Sequence, residues 1–260
     1  MQRTGLFLER VGFLQRLNPL TKLTGALLLI GAAFLLPTPL AGAALLVLAL
    51  MPLAVASAVL RSFVDVLLKT LLPVILSLLL VQGLFFPGAD PATIMLGPFA
   101  FRRAGLEFAL TTASRLLIVA GAPLLIFQTT HPIILVQALT ERGMPRSIGY
   151  ILLVALQLIP AMSERAAGVA EAQRARGLET EGGLLQRARG VLPLVSPLIV
   201  GALVDAEERA MAIESRAFTA PGRKTWLHDV PDPPVERSAR LVMWLALGAL
   251  IVWRAAVAVV

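Results

Sequence analysis

Two arginines are set apart in this chain by their surroundings. Arg176 lies in Ala175-Arg176-Gly177 and Arg216 in Ser215-Arg216-Ala217, and each comes at the end of a charged helical stretch, Glu171 to Gly177 in one case and Ala210 to Phe218 in the other. A guanidinium between small residues at a helix end is a protruding cation that another protein's backbone can approach closely. Its planar fork bonds carboxylates or carbonyls through paired N–H groups. The same pattern has a plainer meaning, an arginine that complements the helix dipole at a C-terminus. A third tripeptide, Ala188-Arg189-Gly190, repeats the first, but it sits at the start of a helical stretch, shortly before Pro193, and ranks below the other two.

Other chemistries have less to work with. The chain has no cysteine, and its two histidines, His131 and His228, are too far apart to make an ordinary zinc set alone. None of Lys22, Lys69 and Lys224 stands in a G-x-x-x-x-G-K-[ST] context; Gly222-Arg223-Lys224-Thr225 lacks the upstream glycine and a preceding strand. The chain is therefore expected not to hydrolyse ATP itself, and no cofactor or metal is implied. Asp205, Glu207 and Glu208 are followed by Arg209 and read as a salt-bridged, solvated helix face.

The elements that must carry the two arginines belong to a membrane protein. Hydrophobic residues make up 57% of the chain and charged residues only 15%, too little polar surface for a large soluble domain. With a mean hydropathy of +0.82, lipid is the solvent that suits it, and lipid demands helices. The net charge of +7 comes mostly from arginines that flank apolar runs, a pattern of cytoplasmic loops rather than of nucleic-acid binding. Residues 1–22 are too polar for a signal peptide, and the segment 6–14 reads as an interfacial amphipathic helix.

Crossings are expected at 23–36, 40–60, 63–86, 106–128 and 238–260, with a loop at 87–105. Asp65 and Lys69 fall four apart on one face of the third crossing and can pair. Arg115, inside the fourth, is a functional candidate by default; structurally, it could pair with Glu107 or Asp65 or cap the carbonyls of another helix. An amphipathic helix from Pro132 precedes Gly143 and Pro145. The apolar run 147–160 is short, with basic flanks, and is read as interfacial, leading into a charged arm of two helices, 162–176 and 184–218. The fold class is an all-α integral membrane protein of about five transmembrane helices plus a cytoplasmic coupling-helix domain. Its divisions are 1–130, 131–237 and 238–260.

At this point a resemblance enters. Leu17-Asn18-Pro19-Leu20-Thr21-Lys22-Leu23 matches an L-[ND]-P-x-T-K-L signature, and Ala175-Arg176-Gly177 a small-Arg-Gly motif. Ser215-Arg216-Ala217 stands where a second such motif is expected, with alanine in place of glycine. Together with Gly143-x-Pro145 and Pro160, these features make the chain resemble, over nearly its whole length, the transmembrane T component of energy-coupling-factor (ECF) transporters. The resemblance implies a non-catalytic subunit in the plasma membrane of a prokaryote, with its N-terminus and coupling helices cytoplasmic. It would dock two ABC-type ATPases through Arg176 and Arg216. It would also hold a small substrate-binding membrane subunit through the apolar stretch that includes Val191, Leu194, Leu198, Gly201 and Ala202. That stretch is too greasy for a solvated arm and asks for a partner or lipid to cover it. The cargo would be a vitamin or a transition-metal ion, chosen by the capture subunit.

Two other classes are weighed against this. A stand-alone permease or channel would need a polar lining, for which the crossings offer mainly Asp65, Lys69, Gln82, Glu107, Thr111, Thr112, Ser114 and Arg115. An intramembrane enzyme would need a catalytic set that is not recognisable here.

Overall fold

A computed structural model describes residues 12–36, 38–87, 92–96, 99–177, 184–218, 220–222 and 230–259. The chain divides into two compact units: residues up to Gly143 with Val230–Val260, and Met144–Asp229. Most of the proposed interfacial helix at 6–14 lies outside the described residues; of that region the structure describes a short helix, α1 (Phe13–Arg16).

In the first unit, α2 (Pro19–Leu35) starts where local chemistry puts it. The Asn18 side chain accepts the Leu20 N–H, and Pro19 occupies the first helical position, where no N–H is needed. Thr38 and Pro39 repeat the device for α3 (Pro39–Leu45). A π-helical turn, Leu46–Leu50, then joins α3 to α4 (Met51–Ala56). Pro52 accounts for the widening, because its ring crowds the carbonyl four residues back and it has no N–H to offer. There follow α5 (Leu60–Phe85), a hairpin of β1 (Ala92–Leu96) and β2 (Phe99–Arg102), α6 (Arg103–Thr129), α7 (Pro132–Glu141) and, after the second unit, α10 (Pro234–Val259). The hairpin is antiparallel, with Leu96 opposite Phe99, in a region expected to be loop.

The core of this unit centres on Phe63 and Leu50, with Val59, Leu67, Ile118, Ala122 and Leu125 around them. Small residues let the helices close up: Gly42 lies directly against the Ser114 side chain, and a side chain at position 42 would collide with it. The outward faces are apolar, with Leu72, Leu76 and Leu80 on α5 and Leu241, Trp244, Leu245, Val252 and Trp253 on α10 all exposed. Such faces suit a bilayer.

The second unit consists of α8 (Arg146–Ala175) and α9 (Leu184–Ser215). Among the described residues, five segments are long and apolar enough to cross a membrane: Pro39–Ala56, Leu60–Phe85, Arg103–Thr129, Arg146–Ala175 and Pro234–Val257. The set differs from expectation in one member. α2, at 17 residues, is shorter than a usual span, whereas α8 runs on as a single helix where a short interfacial segment was expected. Pro160 was expected to precede a separate charged arm. It sits instead inside α8, where one missing N–H is a small loss against the hydrogen bonds that continue on either side.

Candidate functional site

Both tripeptides finish their helices in the same way. Arg176 caps α8 just after Ala175 with a near-helical backbone, and Gly177 follows at φ +88°. Arg216 follows Ser215, the last residue of α9, and Ala217 adopts φ +53°. The hydrogen bonds agree: Gly177 N–H donates to the Arg174 carbonyl at 2.9 Å, and Ala217 N–H to the Glu214 carbonyl at 3.0 Å. The Phe218 N–H reaches back to the Ile213 carbonyl at 3.2 Å, which completes a Schellman motif. The third position of each tripeptide is thus the left-handed residue that turns the chain away. Glycine suits that position because it has no Cβ; alanine is strained there.

These terminations leave Arg176 and Arg216 exposed, and neither guanidinium has a hydrogen-bond partner among the described residues. Neither therefore folds back to bond the free carbonyls of its own helix. The decoy at 188–190 behaves differently: its backbone lies within α9, so its glycine ends nothing.

α8 and α9 pair in antiparallel fashion. Tyr150, near the start of α8, stacks at 5.4 Å on Phe218, just past the end of α9. Farther along, the Arg165 guanidinium spans both Asp205 oxygens at 2.8 and 3.3 Å. Gly201 makes room for this, because a Cβ there would stand 3.1 Å from Arg165 Nη1. Arg216 therefore lies near the Tyr150 end of α8 and Arg176 at its other end. With a rise of 1.5 Å per residue, about 35–40 Å of helix separates the two tips.

The apolar candidates on α9 divide by face. Gly201 is turned toward Arg165, and Ala202 lines a cleft with Tyr150, Val154 and Leu158. Leu194 and Leu198 are half-buried, and the Val191 side chain lies outside the described residues. The stripe that stays exposed is one position along: Val195, Ile199 and Leu203, flanked by Val200 and Val204. Sequence reasoning named the stretch but could not choose its exposed face, because the run is apolar all round.

The intramembrane polar residues are taken up locally. Lys69 and Asp65 pair at 2.8 Å, and Arg103 engages Glu107 at 2.8 Å. Arg115 donates from Nε to the Ala33 carbonyl at 3.0 Å and from Nη2 to the Leu36 carbonyl at 3.4 Å, over the Phe34 ring. Of its three possible partners, it takes the carbonyls at the C-terminus of α2, where a cation is also favoured by the dipole.

Comparison with known proteins identifies the lineage. Residues 11–226 match the CbiQ family, described as cobalt transport protein. The chain belongs to the CbiQ family. An energy-coupling factor transporter transmembrane protein, EcfT, of Heliobacterium modesticaldum is 33% identical over 215 residues, covering 78% of this chain and 79% of that one. The EcfT of Brevibacillus brevis is 29% identical over 82% of this chain and 83% of its own. That of Acidaminococcus fermentans is 25% identical over 92% and 91%. This CbiQ-family chain is a multi-pass membrane protein of the type found in prokaryotes.

The N-terminal signature of this CbiQ-family member turns out to be one half of a buried polar clasp. The Asn18 N–H donates to Glu236 Oε2 at 2.9 Å and the Asn18 side-chain amide to the Pro231 carbonyl at 2.9 Å. The Thr21 hydroxyl donates to the same Glu236 oxygen at 2.7 Å and accepts from Arg240 Nη1 at 3.0 Å. Lys22 Nζ donates to the Thr129 carbonyl and the Thr130 hydroxyl, at 3.0 and 2.7 Å. Arg240 Nη2 then holds both oxygens of Asp232, at 2.8 and 2.9 Å. Asn18, Thr21, Lys22, Glu236 and Arg240 are all buried. Asp232, Glu236 and Arg240 were missed by the sequence reading. The one available signal was that Glu236 and Arg240 fall four apart at the entrance of the last apolar helix.

Proposed function

We propose that the chain is the transmembrane coupling subunit of an energy-coupling-factor importer, a subunit with no catalysis of its own. Arg176 and Arg216 each dock one of two ABC-type ATPases on the cytoplasmic side, with α8 lying along that face rather than crossing the membrane. The apolar arm holds a small membrane subunit that captures a vitamin or a transition-metal ion. The names of the relatives point this way, and the observation that carries the mechanism is the geometry of the tips. Two exposed guanidinium groups, without hydrogen-bond partners among the described residues, stand at opposite ends of one helix pair, each on a chain reversal that projects it. A separation of about 35–40 Å is too great for one groove and suits two subunits. Closing the ATPases on ATP would then move both ends of the pair at once.

The apolar surfaces support the capture role. Ile148, Ile151 and Ile159 on α8 and Val195, Ile199 and Leu203 on α9 are exposed, and in this reading the capture subunit and lipid cover them. The permease alternative loses ground because the charged groups that might line a path are engaged with one another or with helix carbonyls.

The test is Arg176→Ala with Arg216→Ala in the native complex. The double variant is expected to lose the ATPases on co-purification and to lose uptake, and each single variant to weaken ATPase retention in part. Retention and uptake at wild-type levels in the double variant would overturn the proposal.

A further inference from the structure

The second unit is an insertion: the chain leaves the first unit after Gly143 and re-enters it at Val230. The residues on either side of those two points are tied together within the first unit. Arg142 pairs with Asp232, and the Val230 N–H donates to Glu141 Oε1 at 3.3 Å. Asp232 is at the same time held by Arg237 at 3.1 Å and by Arg240 at 2.8 Å. Arg240 passes the connection to Thr21, and Thr21 to Glu236 and so to Asn18. Both roots of the inserted pair are therefore fastened to the starts of α2 and α10 through one carboxylate that meets three guanidinium groups.

This arrangement has a mechanical consequence. Two independent flexible roots would let the inserted pair swing without moving the membrane helices. Two roots pinned to one network pass a displacement on, because the Asp232–Arg240 pair at its centre is nearly buried, costly to part and held in one geometry. Resting on the coupling function proposed above, we infer that Asp232 is a positioning residue that transmits the motion of the coupling helices to the membrane bundle. Arg142 carries the connection from the outgoing root and Arg240 carries it on to the signature at Asn18–Lys22.

The experiment uses the native complex, purified through this chain and reconstituted in liposomes. The chain has no cysteine of its own, so Leu80→Cys in the first unit and Glu207→Cys in the second give it two defined sites for spin labels. With the pair in place, distance distributions are recorded without nucleotide and with ATP and vanadate, and ATP hydrolysis is measured on the same sample. The Asp232-intact complex is expected to shift its distance distribution on nucleotide binding. Asp232→Asn is expected to keep ATP hydrolysis within about twofold but to lose that shift, or to broaden it beyond recognition. Asp232→Glu, which keeps the charge, is expected to restore it in part. Should Asp232→Asn fail to assemble, Arg142→Gln serves: it removes an exposed partner and leaves Asp232 its two other arginines, and it is expected to reduce the shift at unchanged hydrolysis. A normal nucleotide-driven shift in an assembled Asp232→Asn or Arg142→Gln complex overturns the inference, as does hydrolysis falling in step with the shift. The two ideas fail separately. If Arg176→Ala with Arg216→Ala keeps its ATPases, the coupling reading falls; if that variant loses them while Asp232→Asn moves normally, only the clasp falls.

Discussion

Arginine does opposite work in the two units. Arg240 is buried at 8% exposure and saturated, bonded to both oxygens of Asp232 and to Thr21. Arg176 and Arg216 are exposed, without hydrogen-bond partners among the described residues, and stand where their helices end. The side chain is the same and the surroundings decide. A guanidinium closed in by a carboxylate and a hydroxyl fixes a fold, whereas one held out on a chain reversal is available to another molecule. The difference teaches where to expect stability to be lost on mutation and where to expect only assembly to be lost.

The sharpest way to break that comparison is to delete each kind in turn. Arg240→Ala takes from Asp232 its one buried partner, leaving it the exposed Arg142 and Arg237, and takes from Thr21 a guanidinium donor. The expected cost is about 1.5–3 kcal/mol, the usual worth of hydrogen bonds to a charged group. Arg176→Ala and Arg216→Ala, at exposed positions, are expected to stay within about 0.5 kcal/mol. Thermal unfolding of the purified chain in detergent checks both. An Arg216→Ala loss as large as that of Arg240→Ala would make the tip a structural element and remove its claim to be a docking cation.

An intermediate case lies between the two. The Arg165–Asp205 pair joins α8 to α9 with good two-point geometry, but its side chains are 38% and 28% exposed. Solvent therefore screens it, and Asp205→Asn is expected to cost about 0.5–1 kcal/mol. The loss should appear as faster amide exchange in α8 and α9 with little change in the first unit. If exchange instead quickened around Asn18 and Glu236, the two units would not be as separate as their contacts indicate.

The sequence made one side of this comparison easy to find and hid the other. The tips are local features: an arginine, its small neighbours and the left-handed residue after it all fall within a few positions, so spacing along the chain finds them. The clasp is not local. Asn18 and Thr21 meet Glu236 from 218 and 215 residues away, and no periodicity in either segment points across that gap. Four of the five crossings were legible because apolar runs bounded by charges mark them, but the run 147–160 misled because its apolar part is short and its flanks are basic, which hid that the helix continues into the charged stretch. The hairpin at 92–102 went unread for a related reason, since strands of five and four residues carry too short a pattern to stand out from loop. The apolar face of α9 was ambiguous in another way. Which of Leu198 or Ile199 points outward depends on where α8 packs, and that information sits in Tyr150, Arg165 and Gly201.

The smallest expected effect separates the two tips from each other. They share a backbone plan but not the residue in its left-handed position, Gly177 in one and Ala217 in the other. Holding alanine at φ +53° costs about 1–2 kcal/mol relative to an unstrained residue. Ala217→Gly recovers that strain but adds about 0.4–1 kcal/mol of chain entropy to the unfolded state. The net gain is therefore about 0.5–1 kcal/mol, and Gly177→Ala should lose a similar amount. Amide exchange at Phe218 reports the first change directly, because its N–H bonds the Ile213 carbonyl only while position 217 stays left-handed. Slower exchange at Phe218 in Ala217→Gly, with Tyr150 still packed on its ring, would show that the second tip carries strain which the first does not. Unchanged or faster exchange would mean that the Tyr150–Phe218 contact, rather than the left-handed residue, sets how Arg216 is presented.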